Sequence, residues 1–138
     1  MIPISDQNPT RHTSVVNYLL IAANVIVFLL FLTAGSKQET LVYQYALIPA
    51  NFTPLNLGNV TDIFTSMFMH GGWAHILGNM LYLWIFGDNV EDRMGSIPYL
   101  IFYLAGGVVA SLAHILTNPG AQTPTVGASG AIGAVLGA

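Results

Sequence analysis

The chain has 138 residues, of which 54% are hydrophobic and only 7% charged, with a net charge of −3. Soluble domains carry roughly a quarter charged residues, so this composition cannot cover a water-exposed surface. Three cations exclude an electrostatic footprint for nucleic acid, and the lack of cysteine excludes disulfides, thiol catalysis and thiolate metal sites.

In chain order, residues 1–14 form a polar leader whose single cation is Arg11. Val15 to Leu32 is an 18-residue run without charge, near the lower limit for crossing a bilayer core. It predicts a first helix over 15–33. The run is too long, and too poor in preceding cations, for a cleaved signal peptide, so it reads as a retained anchor. Asn17 and Asn24, seven apart on that helix, read as interhelical glue. Residues 34–72 make an outer loop of 39 residues. Unstructured loops of that length are uncommon, and Leu41–Ile48 and Ile63–Phe68 are amphipathic, with Pro49 and Pro54 as breaks. Short helices lying at the membrane interface are expected there.

A second helix is predicted over 73–92, opened by Gly71-Gly72, and a third over 97–117, a 21-residue run without formal charge. His114, near the outer end of the third helix, reads as structural. A polar loop over 118–128 leads into residues 129–138, the start of a fourth helix. At about 1.5 Å per residue that stretch covers roughly half of an apolar core, and the sequence is expected to be truncated, split or partial. Small residues crowd the last two helices, and Gly133 to Gly137 has GxxxG spacing, which lets backbones approach closely in lipid.

Parity of the spans gives a depth relationship. If the first helix runs inside to outside, the second enters from the outer face, the third returns to it and the fourth starts from it. His75, Asn79 and Ser129 then fall at similar depth on one side, whichever the overall orientation. Arg11 and Arg93 lie on the opposite side and Lys37 on the outer one, which favours a cytoplasmic N-terminus.

Polar groups at lipid depth are costly and mark functional sites. A serine hydroxyl needs a base to become a nucleophile, and acyl transfer needs donors where oxyanion charge develops. Ser129 opens a helix, where unpaired backbone N–H groups and the dipole favour negative charge. His75 and Asn79, at i and i+4, share a helix face and both donate hydrogen bonds. Together they resemble an oxyanion hole split across two helices. Each has a plainer reading alone. Gly127-Ala128-Ser129-Gly130 is a common loop string, and Ala131 departs from the G-x-S-x-G elbow of soluble hydrolases. His75 alone could bond a carbonyl, and Asn79 could be glue. No carboxylate cluster joins His70 and His75, so no metal site is expected.

The string His70-Gly71-Gly72-Trp73-Ala74-His75-Ile76-Leu77-Gly78-Asn79-Met80 resembles the signature of rhomboid intramembrane serine proteases. Phe86-Gly87-Asp88-Asn89-Val90-Glu91-Asp92-Arg93-Met94-Gly95 resembles that family's junction between second and third helices. Gly127-Ala128-Ser129-Gly130 matches its serine motif, and Ile2 to Thr10 looks like the leader of many bacterial members. The resemblance implies an all-α integral membrane protein, here a partial rhomboid-like helical bundle (1–138) with a long membrane-lying first loop. It implies Ser129 as nucleophile, with His75 and Asn79 holding the oxyanion. It implies His70 as a structural histidine, Gly127 and Gly130 flanking the serine, and Glu91 with Arg93 as a polar pair bracing the junction. No cofactor or metal is implied. The expected partners are the lipid bilayer, single-span membrane protein substrates, and missing C-terminal helices that carry the base histidine. The expected location is a bacterial plasma membrane, spanned several times.

The family carries its general base on a sixth helix, and none of the four histidines here matches it. Because catalytic groups act as a unit, losing the base can cost on the order of 10⁶ in rate. The chain alone is therefore expected to be inactive, as the N-terminal part of an intramembrane serine endopeptidase. The alternative is a non-catalytic rhomboid-like protein that binds membrane clients.

Overall fold

The computed structural model describes residues 9–138; the leader resemblance at positions 2–8 lies outside them. The described residues form helices α1 (Val15–Thr33), α2 (Gln38–Tyr45), α3 (Leu57–Ser66), α4 (Trp73–Tyr82), α5 (Asp88–Met94), α6 (Ser96–Thr117) and α7 (Ser129–Gly137). No strand occurs among them; one antiparallel bridge joins Leu47 and Thr125. α1 and α6 are long and apolar enough to cross a membrane. Their outer faces carry Leu19, Leu30, Ile101 and Val109, all more than 60% exposed. Such surfaces suit hydrocarbon rather than water.

The long first loop folds into α2, a 3₁₀ turn at Pro49–Asn51 and α3. Pro49 starts the turn because it needs no N–H there. Asn56 caps α3 by accepting from the Gly58 N–H (2.9 Å).

α4 and α5 form one rod, joined by a wider π turn over Leu83–Gly87 with helical dihedrals at both joints. A π turn releases a carbonyl from the usual ladder. Asn17 takes it: its side-chain amide donates to the Leu83 carbonyl (2.9 Å), while its Oδ1 accepts from the Tyr99 hydroxyl (2.8 Å). One fully buried asparagine thus ties α1 to the α4–α5 rod and to α6. Gly87 leaves the room, since a Cβ there would overlap Asn17 and the Tyr99 hydroxyl. Asn24 is held differently: its amide donates back to Leu20 within its own helix (2.8 Å), and its side chain lies by the Tyr103 hydroxyl of α6.

Glu91, 3% exposed, braces the start of α1. Its carboxylate accepts from the Val16 N–H (3.0 Å), the Asn17 N–H (2.7 Å) and the Ser96 hydroxyl (2.6 Å). Two orphan donors at a helix N-terminus and the positive end of the helix dipole account for a buried carboxylate there. Asp92 receives the N–H groups of Arg11 (3.1 Å) and His12 (2.9 Å) just before it. Arg93, expected to brace the junction along with Glu91, is exposed and makes no hydrogen bond or ion pair among the described residues. The helix N-terminus takes the place of a cation as Glu91's partner.

α6 and α7 pack through small residues, with a Cβ at Gly106 meeting Ala134 and one at Gly130 meeting Ala110 (2.5 Å). The expected GxxxG pair plays no part in this. Gly133 and Gly137 have no neighbour within 4 Å of a Cβ position.

Candidate active site

α1 runs antiparallel to α4. Its start meets Leu83 and Glu91 at the far end of the α4–α5 rod, and Phe28 near its end packs edge-on against Trp73 at the beginning of α4 (5.0 Å). The first turns of α4 and α7 and the last turn of α6 lie together at that second end of the bundle.

Ser129 is the first residue of α7. The first hydrogen bond of that helix runs from Ile132 N–H to the Ala128 carbonyl (2.9 Å). The N–H groups of Ser129, Gly130 and Ala131 therefore have no acceptor within α7. Ser129 is exposed, whereas Ala128 before it is fully buried. Gly127 holds φ at +122°, a conformation that side chains rarely adopt. Its N–H donates to the Ser66 carbonyl at the end of α3 (2.8 Å), which fixes the approach to the serine.

His75 stands in the first turn of α4 and is half-buried. A Cβ on Gly127 would lie 2.7 Å from both Cε1 and Nε2 of His75 and 3.8 Å from the Ser129 hydroxyl. Imidazole and hydroxyl thus flank one bare glycine. The Gly71 N–H points at His75 Nδ1 (3.4 Å). An N–H can only donate, so Nδ1 accepts and the proton resides on Nε2, the atom beside Gly127. Asn79, one turn deeper, is buried, and its Nδ2 has no hydrogen-bond partner. A buried unpaired donor is rare and costly, and here it lies on the His75 face of α4.

His70 precedes α4 and is 3% exposed, with neither ring nitrogen in a hydrogen bond. Its ring meets that of His75 edge-on at 5.0 Å. Burial pushes its pKa down to about 4, the neighbouring His75 adds to this, and the Phe68 backbone works weakly the other way. His70 is thus an uncharged wedge behind His75. Gly130 permits the start of α7 to sit on Ala110 of α6.

The structure also draws in residues that sequence reasoning left aside. A cavity of about 210 Å³ beside Ser129 is lined by Ser66, Ser111, His114 and Thr125 among others. Nothing in the periodicity of α6 distinguishes His114 from a helix-end polar residue. Among the described residues no group of three or more His, Cys, Asp or Glu side chains is placed to hold a metal.

Comparison with known proteins shows the family. The Rhomboid domain family matches residues 57–138. The chain is 38% identical over 123 residues to the Rhomboid protease GluP of Bacillus subtilis, covering 88% of this chain and 23% of that protein. It is 31% identical over 121 residues to the human mitochondrial Presenilin-associated rhomboid-like protein, covering 86% and 30% respectively. It is 39% identical over 87 residues to Rhomboid-like protease 5 of Toxoplasma gondii, covering 60% of this chain and 10% of that protein. The chain spans less than a third of the length of each of these relatives.

Proposed function

The chain belongs to the rhomboid family of membrane-embedded proteins, and from that premise we propose that it is the N-terminal part of an intramembrane serine endopeptidase acting on membrane-anchored, single-span proteins. The observation that carries this reading is the meeting of Ser129 and His75 around Gly127, with the unpaired Asn79 amide on the same face of α4.

In the complete protein a base takes the Ser129 proton as Oγ bonds to the scissile carbonyl carbon. The carbonyl π electrons move to oxygen. His75 Nε2–H, the Asn79 amide and an N–H at the start of α7 hold that oxyanion. The C–N bond then breaks, the base returns its proton to the departing amine, and an acyl-enzyme remains. Water, deprotonated by the same base, attacks the ester; the C–Oγ bond breaks, Oγ recovers a proton, and the new carboxyl terminus leaves. None of His70, His75 and His114 makes a hydrogen bond with Ser129 in the structure. This supports the reading in which the base belongs to a part of the protein outside residues 9–138, in line with the chain's spanning 23% and 30% of two of its relatives, and on that reading residues 9–138 do not cleave alone. Arg11 and Arg93, at the end of the bundle opposite Ser129, support the reading of a cytoplasmic N-terminus by the positive-inside rule, and a bacterial plasma membrane is the proposed location.

The full-length protein is expected to cleave a single-span substrate and to be labelled by a serine-directed fluorophosphonate, with both lost in Ser129→Ala. Cleavage undiminished by that substitution removes the protease reading. The competing reading, a non-catalytic binder of membrane clients, is favoured by the lack of a base contact to Ser129. It predicts a full-length protein that retains a client but never labels.

A further inference from the structure

The segment 119–128 ends at the helix that carries Ser129, and its position rests on few bonds. Thr125 pairs with Leu47 of the first loop in both directions (2.7 and 3.2 Å). Ala121 accepts from Ala50 (2.9 Å) and Gly127 donates to Ser66 (2.8 Å), again groups of the first loop. Among the described residues, one hydrogen bond joins this segment to α6: His114 Nε2 with Thr125 Oγ1, 3.0 Å. At the segment's other edge Asn118 Nδ2 lies 3.4 Å from His114 Nδ1. Asn118 Nδ2 lies closer to Thr117 Oγ1 (2.9 Å) and to the His114 carbonyl (3.3 Å) than to Nδ1, so the bond between Nε2 and the threonine hydroxyl is the ring's one short contact. Nε2 is thus engaged by Thr125, while His114 and Ser129 line the same cavity.

We propose that His114 is a positioning residue that, through Thr125, fixes the serine-bearing segment to α6 and so sets the place of the Ser129 hydroxyl. The proposal rests on reading Ser129 as the nucleophile. The first-loop bonds hold the segment to a surface element made of short helices. The His114 bond holds it to α6, against which α7 itself packs. Thr125 lies four residues before Ser129, so freedom at the one reaches the other. A displacement of about 1 Å at a reacting group can cost on the order of 10²-fold in rate.

The test uses the full-length protein and compares His114→Ala, His114→Gln, Thr125→Val and the double variant His114→Ala/Thr125→Val. His114→Ala and Thr125→Val are each expected to lower kcat and the rate of fluorophosphonate labelling about 10- to 100-fold. KM stays within about threefold, because the lost interaction is not one with bound substrate. The double variant should be no worse than His114→Ala, and the glutamine, which can still donate to Thr125, should recover most of the rate. Amide hydrogen exchange over 119–128 should quicken about tenfold in the alanine variant and return in the glutamine variant, with the middle of α6 unchanged. Wild-type labelling by His114→Ala, losses that multiply in the double variant, or unchanged exchange over 119–128 would each overturn the proposal. A wild-type protein that never labels sinks the nucleophile reading instead, and exchange still decides whether His114 holds the segment.

Discussion

The imidazole of His75 occupies the space that a side chain on Gly127 would need. The glycine's left-handed φ of +122° and this contact act together: a methyl group there both strains the backbone and pushes the ring off the serine. Gly127→Ala in the full-length protein is therefore expected to lower kcat by at least about 10²-fold. Kinetics on a single-span substrate check this. An alanine variant with wild-type kcat would show that the His75–Ser129 geometry is irrelevant to the rate.

Asn79 has a buried amide nitrogen with no partner in the resting structure. A donor waiting for developing charge should matter in the transition state and little to the fold. Asn79→Ala is expected to reduce kcat about 10²–10³-fold, with a melting temperature in detergent close to wild type. The opposite pattern, a large fall in melting temperature with kcat intact, would identify Asn79 as packing glue.

Glu91 is the hub of the opposite end, holding two N–H groups of α1 and the Ser96 hydroxyl. Glu91→Ala leaves the buried Asn17 N–H unpaired, at a cost of about 1–3 kcal/mol, and removes the acceptor of Val16 and Ser96. Arg93→Ala, by contrast, removes an exposed side chain that has no partner among the described residues and should change stability by less than about 0.5 kcal/mol. Thermal unfolding of both variants in one detergent compares them. Equal losses would contradict the assignment of the bracing role to Glu91 alone.

Burial lowers the His70 pKa from its ordinary 6.5 to about 4, so the folded state favours the neutral ring. As pH falls below about 6.5 the unfolded chain binds a proton that the folded chain refuses, and stability drops progressively until the folded ring also titrates near 4. Above about 6.5 the contribution is complete. His70→Phe, which keeps a ring and cannot titrate, is expected to flatten the stability curve between those limits. Unfolding measured from pH 4 to 8 tests it; an unchanged slope in the variant would mean that another group governs acid sensitivity.

Much of this molecule follows from local pattern. Charge-free runs mark out α1 and α6, because a helix in lipid must satisfy its own backbone and present apolar side chains for the thickness of the core. The i, i+4 spacing of His75 and Asn79 puts them on one face of α4, and a serine after a polar loop opens a helix with free N–H groups; these follow from helical geometry alone. The parity of the spans brings Ser129 and His75 to one end of the bundle.

Other features depended on which surfaces meet. Glu91 lies 75 residues from Val16 and Asn17 is 66 from Leu83. No periodicity links such pairs, so sequence reasoning named Glu91 and Arg93 together as bracing the junction and treated Asn17 and Asn24 alike. The fold separated them. The π turn freed a carbonyl for Asn17, while the Asn24 amide donates within its own helix. In the same way Gly133 and Gly137 have the spacing of a packing motif, yet Gly106 and Gly130 face the neighbouring backbone. Spacing fixes which residues share a side of a helix, but not what that side will touch. Hydrogen bonds and close contacts, His114 to Thr125 among them, are decided over a few tenths of an ångström by the packed arrangement of elements distant in sequence.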